Sequence, residues 1–123
     1  MAKGALSTED MVKIYSRSKI NLGFSGVLNY THTYCLKGRD FEIPMSGGLY
    51  LTEYHPELER FYELGKEIIT YSNFSDLVDK IQYLLFNPEK ANVMRDRGRQ
   101  RALKEHAWEI RFEKVFNLMG LIR

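Results

Sequence analysis

The sequence is poor in the residues that mark secreted and membrane proteins. Its 123 residues include one cysteine, Cys35, which excludes an internal disulfide and fits a reducing compartment. The first residues contain no apolar signal core, and no hydrophobic run approaches the length of a membrane span. We therefore expect a cytoplasmic domain without a membrane span.

Candidate metal ligands are also sparse. The three histidines share no ligand spacing with one another or with the cysteine: His32, His55 and His106. No acidic pair stands at metal-ligand spacing near the loops. We therefore expect neither a metal nor a cofactor, and no residue is identified as a catalytic base or nucleophile.

Charge of one sign is not in large excess, since the net charge is +2. Four arginines near the C-terminus are spaced two residues apart: Arg95, Arg97, Arg99 and Arg101. That spacing spreads them around a helix rather than along one face, so we expect no nucleic-acid partner. The length and the sixteen aromatic residues (eight Tyr, seven Phe and one Trp) predict one folded domain over residues 1–123, with residues 1–6 flexible.

Short helical and strand-like segments alternate along the chain. The predicted helices cover residues 8–17, 38–45, 56–65, a segment that starts at Asn73 or Ser75, 88–105 and 108–122. The predicted strands cover 19–24, 49–54 and 67–71. Residues 26–37 show no clear period, and we expect a long loop there.

This alternation predicts the fold class. Strands separated by helices imply right-handed crossovers and a parallel sheet. We expect an α/β, partial Rossmann-like, three-layer domain, in which a short parallel sheet of about three strands runs in chain order and is flanked by helices. Three strands are few, so the domain looks like half of a doubly wound sheet.

A candidate site lies at the carboxyl ends of the strands, where ligands bind in open parallel sheets. Ser25 ends the first predicted strand, and a predicted helix begins near Gly38. Lys37 and Arg39 would add cations for a phosphate, and Glu42 could accept hydrogen bonds from a ribose diol. The pattern indicates a site for a nucleotide or a sugar nucleotide.

A likeness to known proteins spans roughly residues 7 to 117 and rests on short motifs that occur in order. They are Arg-x-Phe-Glu at 39–42, Gly-Gly before a strand at 47–48, Pro-Glu-Leu at 56–58, Gly-Lys-Glu-Ile at 65–68, Asn-Pro-Glu at 87–89 and Glu-His at 105–106. This ordered set resembles glycosyltransferases of the GT-B fold, in the "glycosyl transferases group 1" family that includes spore-maturation-protein-like enzymes.

The resemblance implies that the chain is the C-terminal, donor-binding part of such an enzyme. It implies a ribose contact for Glu42 and a diphosphate contact for Arg39. The wider group has a second glutamate, with seven residues between the two, where this sequence has Tyr34. The partners implied are a nucleotide sugar and the N-terminal domain of the parent enzyme, and we expect the chain to be inactive alone.

Two alternatives depend on other features. The chain could be a non-catalytic interaction or regulatory domain that kept the fold, which Tyr34 would favour. The last helix carries a stripe at Trp108, Phe112 and Phe116. We expect this helix to be part of the core, with self-association through it or through the outer strand as the other possibility.

Overall fold

The computed structural model describes residues 4–27 and 30–122 and gives an α/β fold. The helices are α1 (Thr8–Arg17), α2 (Arg39–Met45), α3 (Phe74–Phe86), α4 (Pro88–Glu105) and α5 (Trp108–Leu118), with a 3₁₀ helix at Pro56–Arg60. The strands are β1 (Asn21–Gly23), β2 (Gly26–Val27), β3 (Tyr30–Tyr34), β4 (Tyr50–Glu53) and β5 (Ile69–Tyr71). Of the six residues expected to be flexible, 1–3 lie outside the described residues, and 4–6 form neither helix nor strand.

A parallel sheet of three strands forms the centre, in the order β1-β4-β5. Leu51 of β4 lies opposite Leu22 of β1 and Ile69 of β5. Helices lie against both faces. The predicted fold class and strand order are therefore confirmed.

Polar groups set where several helices begin and end. Ser7 begins α1, because its side chain accepts a hydrogen bond from the backbone N–H of Asp10. Asn73 begins α3 by accepting one from the N–H of Asp76. After α2, Gly47 takes a φ of 78° and lets the chain reverse into β4.

Three details of the prediction are wrong. Residues 26–37 are not only a loop, because β2 and β3 form an antiparallel hairpin there. The segment predicted as a helix over 56–65 is a 3₁₀ helix that ends at Arg60. Strand β1 is shorter than 19–24, and it buries its polar and small residues while Leu22 and Phe24 are 41% and 56% exposed.

Two hydrophobic clusters form the core, one on each face of the sheet. On one face, Leu49, Leu51, Ile69, Tyr71, Leu84, Ala91 and Met94 pack together between the sheet, α3 and α4. On the other face the buried residues are Ile43, Tyr50, Leu58, Tyr62, Ile68 and Ala102. Because α4 contributes to both clusters, it passes from one face of the sheet to the other.

Helix α4 crosses the amino-terminal ends of the three strands. Arg95 donates to the carbonyls of Ser18 and Lys19, just before β1, at 3.3 and 3.4 Å. A Cβ placed on Gly98 would lie 2.3 Å from the carbonyl oxygen of Glu67, just before β5. The arginine-rich helix therefore lies at the edge opposite the candidate site.

Helix α5 is not the core helix that its apolar stripe predicts. None of its residues is buried, and Trp108 and Phe112 are 68% and 50% exposed. Their rings stack on each other at 5.5 Å, and Phe112 stacks on Phe116 at 5.9 Å. The stripe packs against itself and faces solvent.

Candidate functional site at the carboxyl edge of the sheet

The turn after β1 is held by a carboxylate from the neighbouring strand. Glu53 is the last residue of β4, and its Oε2 accepts hydrogen bonds from Ser25 N at 3.1 Å, Ser25 Oγ at 3.2 Å and Gly26 N at 3.1 Å. Ser25 is 3% exposed. The Glu53 charge also acts on Tyr71, whose pKa is raised first by burial and second by that charge.

Lys37 holds the same turn from the other side. Its Nζ donates to the carbonyl oxygens of Phe24 at 2.7 Å and Gly26 at 3.1 Å. Lys37 and Ser25 were both predicted from the sequence to belong to the site. The structure brings them together at the turn after β1. Two of the three ammonium donors are already used by backbone.

Asp40 anchors the beginning of α2 from inside the protein. It is 4% exposed, and its carboxylate accepts from Lys37 N at 2.7 Å and from the Tyr50 hydroxyl at 2.6 Å. Burial, followed by the negative charge of Asp40, raises the pKa of Tyr50 well above its ordinary value. This anchor fixes the segment that carries the predicted ligand contacts.

The three remaining residues of that segment lie at the surface. Gly38, Arg39 and Glu42 are exposed. A Cβ on Gly38 would lie 3.2 Å from Glu42 Oε1, so the Glu42 carboxylate folds back over the first turn of α2. Within the described residues, neither Arg39 nor Glu42 makes a side-chain hydrogen bond or ion pair, which leaves both side chains available to a ligand.

The hairpin lies against the end of β4 through an aromatic contact. Tyr34, at the end of β3, is 45% exposed, and its ring stacks on His55 with centroids 6.3 Å apart and planes 8° apart. His55 is 1% exposed, and its Nε2 has no hydrogen-bond partner in the described part of the chain. The side chain of His32 lies outside the part that is described.

The sequence did not reveal three of the groups at this edge: Asp40, Glu53 and His55. Asp40 reads as an ordinary acid in a first helical turn. The only signal for Glu53 was its place at the end of a strand, where parallel-sheet proteins bind ligands.

Across residues 4–27 and 30–122, no three His, Cys, Asp or Glu side chains come close enough to hold a metal ion. In the same part of the chain, no helix is both long and apolar enough to cross a membrane.

Comparison with known families identifies the broad class. The family described as "Glycosyl transferase-like" matches residues 1–117. The chain belongs to this family. No curated protein and no solved structure matched it.

Membership of the glycosyl transferase-like family confirms the resemblance seen in the ordered motifs and gives the carboxyl edge a chemical context. A polar edge of this kind combines backbone N–H groups, a hydroxyl, an ammonium group and exposed charged side chains. Such groups suit a ligand with phosphate and hydroxyl groups. The family membership links the chain to glycosyl transfer in general terms.

Proposed function

We propose that this chain is the donor-binding part of a GT-B glycosyltransferase, which transfers a sugar from a nucleoside-diphosphate sugar to an acceptor hydroxyl. The main support is that, in a glycosyl transferase-like chain, the turn after β1 lies beside the beginning of α2. Lys37 Nζ contacts the carbonyls of Phe24 and Gly26 at 2.7 and 3.1 Å, so the turn after β1 and the beginning of α2 form one edge. That edge is where open parallel sheets bind nucleotides.

In this proposal the exposed side chains of α2 contact the ligand directly. Arg39 binds the diphosphate, and its positive charge stabilises the leaving group as negative charge grows on it. Glu42 accepts hydrogen bonds from the ribose hydroxyls. Gly38 lets the ligand approach the backbone closely, because it has no side chain.

Lys37, Ser25 and Tyr34 have supporting roles. Lys37 contributes charge and holds the turn, since two of its donors already bind carbonyls. Ser25 is buried in the turn after β1, beneath the proposed ligand. Tyr34, which stands where the wider group has a glutamate, offers a ring and a hydroxyl to the donor sugar.

The proposal requires a second domain. Strand β1 is an edge strand of the sheet, and Leu22 in it and Phe24 just after it are exposed; a cavity of about 440 Å³ at Leu22 is also lined by Ile20, Ile81 and Leu85 among others. An exposed apolar strand edge favours further packing elements there. We therefore expect the chain to be the C-terminal portion of a donor-binding domain, inactive without the N-terminal domain. The proposed reaction assigns no step to a metal or cofactor.

The test is an NMR titration of isotope-labelled protein with UDP, GDP and their glucose and mannose conjugates. We expect amide shifts at Gly38–Glu42 and at Ser25, with a clear preference for one base. Glu42→Ala should weaken the binding about tenfold, as expected for the loss of a hydrogen bond to a charged group.

Glu113→Ala provides a matched control, because it removes the same charge from the exposed helix α5. The control should bind like the wild type. Shifts scattered over the surface, or equal effects of the two substitutions, would contradict the assignment of the site.

A second candidate function is a non-catalytic interaction domain. Helix α5 favours it, because none of the residues of this helix is buried although it carries three stacked aromatic rings. An absence of nucleotide shifts at millimolar ligand, together with association through α5, would favour this function over donor binding.

A further inference from the structure

Three hydrogen-bond donors in the turn after β1 converge on one oxygen atom. The backbone N–H groups of Ser25 and Gly26 and the Ser25 hydroxyl all donate to Oε2 of Glu53, at 3.1, 3.1 and 3.2 Å. We propose that this turn is a phosphate-binding nest and that Glu53 occupies it as an internal competitor. The inference goes beyond the proposed function, because it concerns a phosphate group from any source.

The donor set is the type that binds anions in proteins. Successive backbone N–H groups that point to one side form a concavity for an anion, and an added hydroxyl completes three donors. A phosphate presents the same kind of oxygen as a carboxylate but carries more oxygens and more charge. It can therefore satisfy the same three donors that Glu53 satisfies.

A lysine holds the turn from the side opposite to the donors of the nest. Lys37 Nζ binds the carbonyls of Phe24 and Gly26, which flank Ser25 in the chain. Its positive charge stays in place when the occupant changes, because those carbonyls hold it. The turn therefore keeps an anchor on its far side while an incoming phosphate meets the three donors.

The turn does not depend on Glu53 alone for its shape. The carbonyl of Ser25 accepts a hydrogen bond from Cys35 N at 3.1 Å, and Gly26 pairs with Tyr34 in the hairpin. With Lys37, these contacts hold the backbone of residues 24–26 from other directions. The donors should keep their arrangement after the carboxylate has left.

Glu53 can leave without a movement of the sheet. It is the last residue of β4, and its side chain is partly exposed. Its three hydrogen bonds lie at the long end of the usual range for N–H donors and beyond it for the hydroxyl. A rotation of the side chain would free the nest while the β4 backbone stays paired.

The experiment titrates inorganic phosphate into labelled wild type, Glu53→Ala and Glu53→Gln, followed by amide spectra. We expect Glu53→Ala to bind phosphate about tenfold more tightly than the wild type, with the largest shifts at Ser25 and Gly26, because a charged competitor has been removed. Glu53→Gln, which keeps the size but loses the charge, should give a smaller gain. Adding Ser25→Ala to Glu53→Ala should reverse most of the gain.

Glu57→Ala is the matched control, since Glu57 is an exposed acid in the 3₁₀ helix that follows β4. It removes one negative charge near the same strand and should leave phosphate binding unchanged. A gain in this control equal to that of Glu53→Ala would overturn the nest and indicate a general charge effect.

The amide spectrum of each variant also reports whether it is folded. If Glu53→Ala does not fold, Glu53→Gln decides the question. A folded Glu53 variant with wild-type phosphate affinity, or with shifts away from Ser25 and Gly26, would overturn the proposal.

A parallel titration with UDP distinguishes the source of the phosphate. Tighter binding of UDP than of inorganic phosphate at Ser25 and Gly26 would assign the nest to a nucleotide, and equal binding would assign it to free phosphate. A response to phosphate without any response to nucleotides would support the nest while contradicting the proposed donor-binding function.

Discussion

Helices α4 and α5 follow each other in the chain but differ in how they are buried. Helix α4 is rich in charged residues, yet it buries Ala91, Met94, Gly98 and Ala102. Helix α5 is rich in large apolar residues, yet it buries none. The comparison teaches that the burial of a helix depends more on how closely it fits its neighbours than on how many apolar residues it contains.

Small side chains explain the difference. Gly98 lets the α4 backbone approach the chain just before β5, where even a Cβ would lie 2.3 Å from the carbonyl oxygen of Glu67. Helix α5 has no such small residue against the domain. The guanidinium of its Arg111 packs over the ring of Phe41 at 4.3 Å.

The largest expected effect is a loss of stability at alkaline pH that arises in the cluster where Ala102 of α4 is buried. Tyr50 and Tyr62 pack there, and burial, followed by the charge of Asp40, raises the pKa of both hydroxyls well above about 10. Above pH 10 the unfolded chain loses these protons while the folded chain keeps them, so stability falls as pH rises. At pH 11 the loss should be about 3 kcal/mol for the two tyrosines together.

Urea unfolding at pH 8 and pH 11 measures this loss. The Tyr62→Phe variant controls for other groups that titrate in the same range, and its loss should be smaller by about 1 kcal/mol. An identical pH dependence in wild type and variant would contradict the prediction.

The next effect is steric. Gly98→Val should lower the free energy of unfolding by about 2 kcal/mol or more, because the new side chain meets backbone that cannot yield easily. Gln100→Val places the same side chain at an exposed position of the same helix without the clash. Intrinsic helix propensity favours Val over Gly and disfavours Val relative to Gln, so it cannot explain a larger loss at Gly98. Equal unfolding midpoints for the two variants would refute the close approach of α4.

A smaller effect is expected at the contact between α5 and the domain. Arg111→Ala should cost about 1 kcal/mol, since it removes the cation from Phe41 and Phe61, whose ring centroids lie 4.3 and 5.7 Å from the guanidinium. It should also speed amide hydrogen exchange throughout α5. Lys114→Ala is the control, because it removes a neighbouring positive charge and should have neither effect. Unchanged hydrogen exchange in the Arg111 variant would argue against the contact of Arg111 with the two rings.

The smallest effect on stability is expected within the stripe. The double variant Phe112→Ser and Phe116→Ser should change the free energy of unfolding by less than about 0.5 kcal/mol for each substitution, because both rings are exposed. It should nevertheless reduce the self-association that we expect at high concentration in sedimentation velocity. Leu22→Lys tests the edge of β1 as the other route, and a strictly monomeric wild type would rule out both.

Local patterns in the sequence predicted most of the elements. Helix α4 was expected over 88–105 and is observed at Pro88–Glu105, because Asn-Pro-Glu begins a helix without reference to the rest of the chain. The order of the three parallel strands also followed from the alternation of strands and helices. The hairpin of β2 and β3 was missed, since its short strands have no apolar period and its contacts reach beyond it, from Lys37 to the Gly26 carbonyl and from Tyr34 to His55.

The candidate site was predicted only in part. Ser25 and Lys37 were chosen for their positions in the chain, and the structure brings them to one turn. Asp40 and Glu53 were not chosen. Their importance depends on partners ten and 27–28 residues away, Tyr50 for Asp40 and the Ser25–Gly26 turn for Glu53, which no local pattern reveals.

The sequence by itself determined the fold class, the strand order, the ends of most helices and, through its ordered motifs, the glycosyl transferase-like family. These depend on capping residues, glycines and periodicity, which act over a few residues. Only the tertiary structure decided which face of β1 is buried, that Glu53 fills the turn at Ser25 and Gly26, and that α5 stays exposed. Those outcomes depend on shape and charge complementarity between segments far apart in the chain, and short-range preferences do not encode them.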